Sequence, residues 1–180
     1  MSGEHIAVIG AGSWGTALVK LLTGTQQRVG WWVRRQETID HIKKYGHNPD
    51  YISAAQFDVE RLAMSADIHT VVKEADILIV AVPSAFLKGT IEQLDKSELL
   101  GKTMFSAVKG IVPETNQIVG EYLFDHWGIA KQHFGVICGP CHAEEVAMER
   151  LSYLTIASQE AKNTRAMGDA LNGRFMKTTL

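Results

Sequence analysis

Gly10, Gly12 and Gly15 stand in the segment Gly10-Ala11-Gly12-Ser13-Trp14-Gly15, at the spacing of a dinucleotide-binding fingerprint. Each glycine has a separate task in that chemistry. Gly10 permits a tight turn, Gly12 lets the backbone come close to a pyrophosphate, and Gly15 lets a helix pack against a strand. Ser13 and Trp14 fill the variable positions, where a hydroxyl and N–H groups can meet phosphate oxygens. Trp14 also reads as a bulky residue packing on the next loop.

Further along, basic and nucleophilic side chains fall where strands end. Arg34 and Arg35 follow a second apolar run, where an NAD-specific site usually presents an acid to the ribose 2′-hydroxyl. Two arginines suit a 2′-phosphate instead, although Glu37 is close enough in sequence to take the acidic role. Lys109 closes another strand-like run, and its ammonium can hold a substrate oxygen and stabilise charge developing on it. Cys138-Gly139-Pro140-Cys141-His142 matches both a haem-attachment pattern and a redox dithiol. Its place late in a long α/β chain argues against a thioredoxin-like unit. No second pair at finger spacing supports zinc.

Strands and helices must bring these residues together. Ile6–Ile9 reads as a buried parallel strand, and Ala17, Leu18, Leu21 and Leu22 recur at helical spacing after the glycines. That helix would turn its N-terminus, with free N–H groups and partial positive charge, towards phosphate. Residues 28–33, 77–82, 103–108, 134–138, 154–157 and 174–179 read as further strands, and Ile68-His69 as a short one. Helices fall around Glu37 to Tyr45, after Ser84, and over Ile118 to Leu123, with Pro140 placed in the first turn of another. Phe86 reads as a core residue, with a place along the cofactor track as the alternative. Strands alternating with helices predict a doubly wound α/β domain with a mostly parallel sheet.

Composition narrows the partners. The chain has 180 residues, 46% hydrophobic and 21% charged, enough for one well-cored domain spanning residues 1–180. A net charge of −2 and a pI near 6.4 give no electrostatic case for nucleic acid or an anionic membrane. No apolar run is long enough for membrane insertion. Met1 to His5 lacks a basic and apolar leader pattern, and two cysteines form no disulfide scaffold, so a cytoplasmic setting is expected. The chain stops in strand-like sequence at Leu180, which leaves a natural end and a truncation equally open.

Three segments, Gly10 to Leu18, Phe105 to Ile111 and Gly139 to Val146, resemble the NAD(P)-dependent glycerol-3-phosphate dehydrogenases of bacteria. Asn48-Pro49-Asp50-Tyr51 and Val82-Pro83-Ser84 fit the same pattern. The resemblance covers essentially the whole chain, but only the cofactor half of that family. It implies NADP or NAD as cofactor, bound by Gly10, Gly12, Ser13, Trp14, Gly15, Arg34, Arg35, Tyr51, Lys109 and Ala143. It implies a small phosphorylated substrate touched by Lys109, Gly139 and Cys141, with cysteine standing where the family has a hydroxyl residue and His142 where it has phenylalanine. A thiol is the weaker donor and acceptor. Tyr51 reads equally well as a packing residue. The resemblance also implies a helical second half supplying the proton-transfer lysine, so no catalytic residue is assigned within this chain; a homodimer is left open. A non-catalytic cofactor-binding module and the cofactor domain of a 3-hydroxy-acid-type dehydrogenase are the rival readings.

Overall fold

A computed structural model describes residues 4–180, so most of the Met1–His5 segment lies outside the described residues. Its centre is β1 (Ile6–Ile9), α1 (Ser13–Thr25), β2 (Val29–Trp32), α2 (Gln36–Tyr45), β3 (Leu62–Ser65) and α3 (Ile68–Glu74). Then come β4 (Ile77–Val80), α4 (Ser84–Ile91), β5 (Thr103–Ser106), a small β6–β7 hairpin (Ile111–Val112, Gln117–Ile118) and α5 (Val119–Trp127). β8 (Phe134–Cys138), α6 (Ala143–Ala147), β9 (Ser152–Ser158), α7 (Ala161–Leu171) and β10 (Met176–Thr179) complete the chain.

Eight strands form one sheet in the order β10-β9-β8-β5-β4-β1-β2-β3. β3 through β8 across the sheet are parallel; β9 runs antiparallel to β8, and β10 runs parallel to β9. The chain builds outward from β1 to β3, then crosses to the other side of β1 as β4. The order therefore reverses between β1 and β4, where open α/β sheets form a crevice outside the carboxyl ends of their strands.

Side-chain alternation explains the two covered faces. Ile6 and Val8 of β1, with Ile77 and Ile79 of β4, face a core shared with α1, α2, α6 and α7. Ala7 and Ile9, with Leu78 and Val80, face the other core, beneath α3, α4 and α5. A central strand buried on both sides must be apolar throughout, as Ile6–Ile9 and Ile77–Val80 are.

Several expected boundaries shift, each for a local reason. Ile68-His69 is the start of α3 rather than a strand, because the Asp67 carboxylate accepts the His69 N–H at 3.0 Å and caps a helix there. The third strand is instead Leu62–Ser65, half-buried at the sheet edge. Pro140 lies before α6, which starts at Ala143, so it is not in the helix's first turn. Among the described residues no helix is long and apolar enough to cross a membrane.

Candidate functional site at the carboxyl edge of the sheet

The glycine loop is shaped by close contacts. Gly10 has φ +120°, and a Cβ there would sit 2.8 Å from the Ala81 carbonyl oxygen. At Gly15 a Cβ would lie only 2.2 Å from the Gly10 oxygen, so α1 could not approach the strand with any larger residue. Gly12 differs: its φ is −74°, and a Cβ would meet no protein atom within 4 Å. The fold itself does not demand glycine at position 12; the open space in front of it is free for a ligand to approach.

Gly12 caps α1 without a side-chain hydrogen bond, and no acidic residue stands in the first turn. The amides of the first turn thus lack intrahelical partners and face the strand ends, a ready anion site. Two side chains that sequence reasoning passed over hold the loop in place. The buried Trp31 indole donates to the Gly10 carbonyl at 3.0 Å. The fully buried Asn48 donates through Nδ2 to the Ala11 carbonyl at 3.1 Å and to Thr16 Oγ1 at 2.9 Å. Its Oδ1 accepts the amides of Asp50 and Tyr51 at 3.0 and 3.3 Å. Asn48 was marked in sequence by its Asn-Pro-Asp turn chemistry and by the family pattern of Asn48-Pro49-Asp50-Tyr51, but neither signal pointed to a clamp on the glycine loop.

A groove of about 800 Å³ opens here, lined by Gly10, Ala11 and Gly12, by Arg34, Arg35 and Tyr51, and by Val82, Pro83 and Phe86 across from them. Its size is that of a cofactor cleft. Phe86 is 63% exposed in the first turn of α4, so the core reading is corrected: it forms the groove's apolar wall. Tyr51 is also exposed on the groove rather than packed inside. Arg35 is ion-paired with Asp50, whereas Arg34 has no carboxylate partner among the described residues.

The remaining site residues lie beside the groove. Ser13 and Trp14 begin α1, half-buried, with Trp14 packed against the core. Lys109 is exposed just past β5, and its Nζ sits 5.6 Å from the centre of the Trp14 ring, within cation–π range. Trp14 thus packs on the core and meets Lys109. Gly139 and Cys141 follow β8, the neighbour of β5, and Ala143 opens α6, which packs on α1. Cys141 is buried and its Sγ donates to the Tyr153 carbonyl at 2.8 Å, while Cys138 is exposed; both are free thiols. Gly139, Cys141 and Ala143 are not among the groove-lining residues.

Residues 5–164 match the sequence family described as NAD-dependent glycerol-3-phosphate dehydrogenase N-terminus. The chain belongs to this family. It is 34% identical over 173 residues to glycerol-3-phosphate dehydrogenase [NAD(P)+] of Corynebacterium aurimucosum, covering 96% of this chain and 52% of that protein. Its fold is similar to the crystal structure of glycerol-3-phosphate dehydrogenase from Coxiella burnetii, with a TM-score of 0.87 and 25% identity over 98% of this chain and 53% of that one. The Dunaliella salina enzyme shares the fold at a TM-score of 0.88 and 20% identity, with 99% of this chain covering 34% of that one. The chain therefore spans about half the length of the curated relatives it matches.

Proposed function

We propose that this chain is the NAD(P)(H)-binding half of a glycerol-3-phosphate dehydrogenase, with residues 1–180 as its cofactor domain. The observation that carries this reading is the uncrowded Gly12 at the start of α1, opening on the switch-point groove between β1 and β4. The residues present fit such a cofactor. First-turn amides and the Ser13 hydroxyl would meet its pyrophosphate, Arg34 a 2′-phosphate, and Phe86 and Tyr51 its flat apolar rings. When bound, NAD(P)H supplies a hydride from the nicotinamide to the carbonyl carbon of dihydroxyacetone phosphate, giving glycerol 3-phosphate.

Lys109 faces the same edge of the sheet, and its ammonium would hold the substrate oxygen and stabilise the negative charge that develops there. The Trp14 ring would bias that ammonium towards the glycine loop. Gly139 and Cys141 would line the substrate side, and Ala143 the cofactor side. The oxygen must also receive a proton, ordinarily a contribution of about 10²–10⁴-fold. We assign that step to a lysine of a helical second half, of the kind the resemblance implies. A cytoplasmic role in making phospholipid precursors, and a homodimer, complete the proposal.

The test is absorbance at the reduced-nicotinamide band with dihydroxyacetone phosphate present. This chain alone should bind NADPH but oxidise it negligibly, and joining it to the second half of a matched relative should bring turnover. Lys109→Ala in the joined enzyme should then lower turnover severely. Robust turnover by the chain alone would overturn the division of labour, and turnover only with 3-hydroxy acids would favour a dehydrogenase of different substrate.

A further inference from the structure

Two histidines at the carboxyl end of α2 face each other nitrogen to nitrogen. His41 Nε2 and His47 Nε2 are 3.2 Å apart, with ring planes crossing at 81°. His47 Nδ1 lies 3.2 Å from the Tyr45 carbonyl oxygen. A carbonyl only accepts, so Nδ1 of His47 carries the proton and its Nε2 presents a lone pair that accepts from His41. A metal-ligating histidine is oriented the same way, by giving its far N–H to a backbone carbonyl. At Zn–N distances of about 2.0–2.1 Å, a tetrahedral ion places two nitrogens roughly 3.3–3.4 Å apart. The observed gap is close to that bite.

The surroundings also suit a cation. His41 and His47 are half-buried, their orientation constrained by contact with the Tyr45 ring, 4.6 Å from His41. The helix ends at Gly46, so the partial negative charge of its last carbonyls is directed here, against the Lys43 and Lys44 charges of that turn. Lys44 is itself turned onto the Tyr45 ring. Among the described residues no third histidine, cysteine or carboxylate groups with the pair, so water would fill the other positions.

We propose that His41 and His47 form a two-imidazole site for a borderline divalent transition metal, with Zn²⁺ as the type ion. The site clips the end of α2 to the segment that leads directly into Asn48. In the metal-free state the His41 Nε2–H donates to His47. Binding requires that this proton move from Nε2 to His41 Nδ1 through water, so that the ring stays neutral and its Nε2 lone pair is available to the ion.

The experiment uses chelator-treated protein carrying Cys138→Ser and Cys141→Ser, so that the thiols cannot capture the metal. Titration with Zn²⁺ alone should show one ion bound, and His41→Ala and His47→Ala should each weaken binding by at least tenfold while helix content by circular dichroism stays unchanged. Absence of binding, or binding that either substitution leaves intact, overturns the site. If a substitution unfolds the chain, imidazole ¹⁵N shifts of the protein with native histidines decide. Zn²⁺ should move the Nε2 signals of His41 and His47, and movement confined to other histidines contradicts the proposal.

Discussion

Asn48 donates to the carbonyl of Ala11, thirty-seven residues earlier, and so fastens the segment after α2 to the glycine loop. The same side chain serves Thr16, Asp50 and Tyr51, which leaves it fully buried yet satisfied on both its oxygen and its nitrogen. A buried amide with its partners in place specifies one arrangement, and removing it strands those partners.

Asn48→Ala should therefore destabilise the chain by about 1–3 kcal/mol, the cost of leaving a buried polar partner unsatisfied. It should also weaken NADPH binding, because Asp50 and Tyr51 lose the atom that orders them beside the groove. Denaturant unfolding and calorimetric titration measure the two effects. An unchanged unfolding midpoint would contradict the clamp.

In the proposed cofactor site the 2′-phosphate contact falls to Arg34 more than to Arg35, whose guanidinium is engaged by Asp50. A charge-assisted contact to a 2′-phosphate contributes roughly 1.5–3 kcal/mol. Arg34→Glu should shift the ratio of NADPH to NADH affinity towards NADH by at least tenfold. A ratio unmoved by the substitution, or a wild-type chain far tighter for NADH, would remove Arg34 from the 2′-phosphate.

The two cysteines of the motif sit in different surroundings. Cys141 packs in the core and donates to Tyr153, while Cys138 is exposed at the end of β8. Serine at both positions keeps a donor at 141 and should leave the fold and cofactor affinity nearly intact. Release of a bound metal or haem on making that double substitution would show the motif to be a binding site.

Stability should carry a pH signature from His69 and Glu98, whose Nδ1 and carboxylate oxygens are 2.9 and 3.0 Å apart. The Glu98 hydrogen bond raises the His69 pKa above 6.5. The Asp95 backbone N–H, then His69, hold the Glu98 pKa below 4.5. The histidine contribution is complete below about pH 6.5 and fades as pH rises through the raised value. The glutamate contribution is complete above about pH 4.5 and fades as pH falls through the lowered one. Both are present between these limits, so His69→Ala should cost most near pH 5–6 and least at pH 9. Thermal unfolding across that range measures it, and a pH-independent cost would exclude the pair. Screening at this exposed site keeps the effect small.

Much of this architecture could be read from residue patterns, for reasons visible in particular elements. Ile6–Ile9 and Ile77–Val80 are buried on both faces, so apolarity alone marked them as central strands. The glycine loop was legible because steric limits at Gly10 and Gly15 tolerate almost nothing else. β3 was missed because Leu62–Ser65 is half-buried at an edge and its apolar run, Leu62-Ala63-Met64, is too short to stand out. The antiparallel β9 was not foreseen, since a strand's direction depends on its neighbour and not on its own residues. Phe86 was placed in the core because aromatic residues usually are; its exposure follows from where α4 starts at the groove. Trp31 and Asn48 were overlooked as loop anchors because their partners are twenty-one and thirty-seven residues away.

The central claim is that the space before Gly12 receives the cofactor. Calorimetric titration of NADPH into the wild-type chain and Gly12→Val tests it with one atom group. The new side chain meets no protein atom at its Cβ, so folding and thermal midpoint should be nearly unchanged, apart from a small loss of freedom at the helix cap. Wild type should bind one NADPH, and the variant should bind roughly 100-fold more weakly, a difference of about 2.8 kcal/mol. A well-folded Gly12→Val that binds NADPH as tightly as wild type, or a wild-type chain that binds none, would contradict the account.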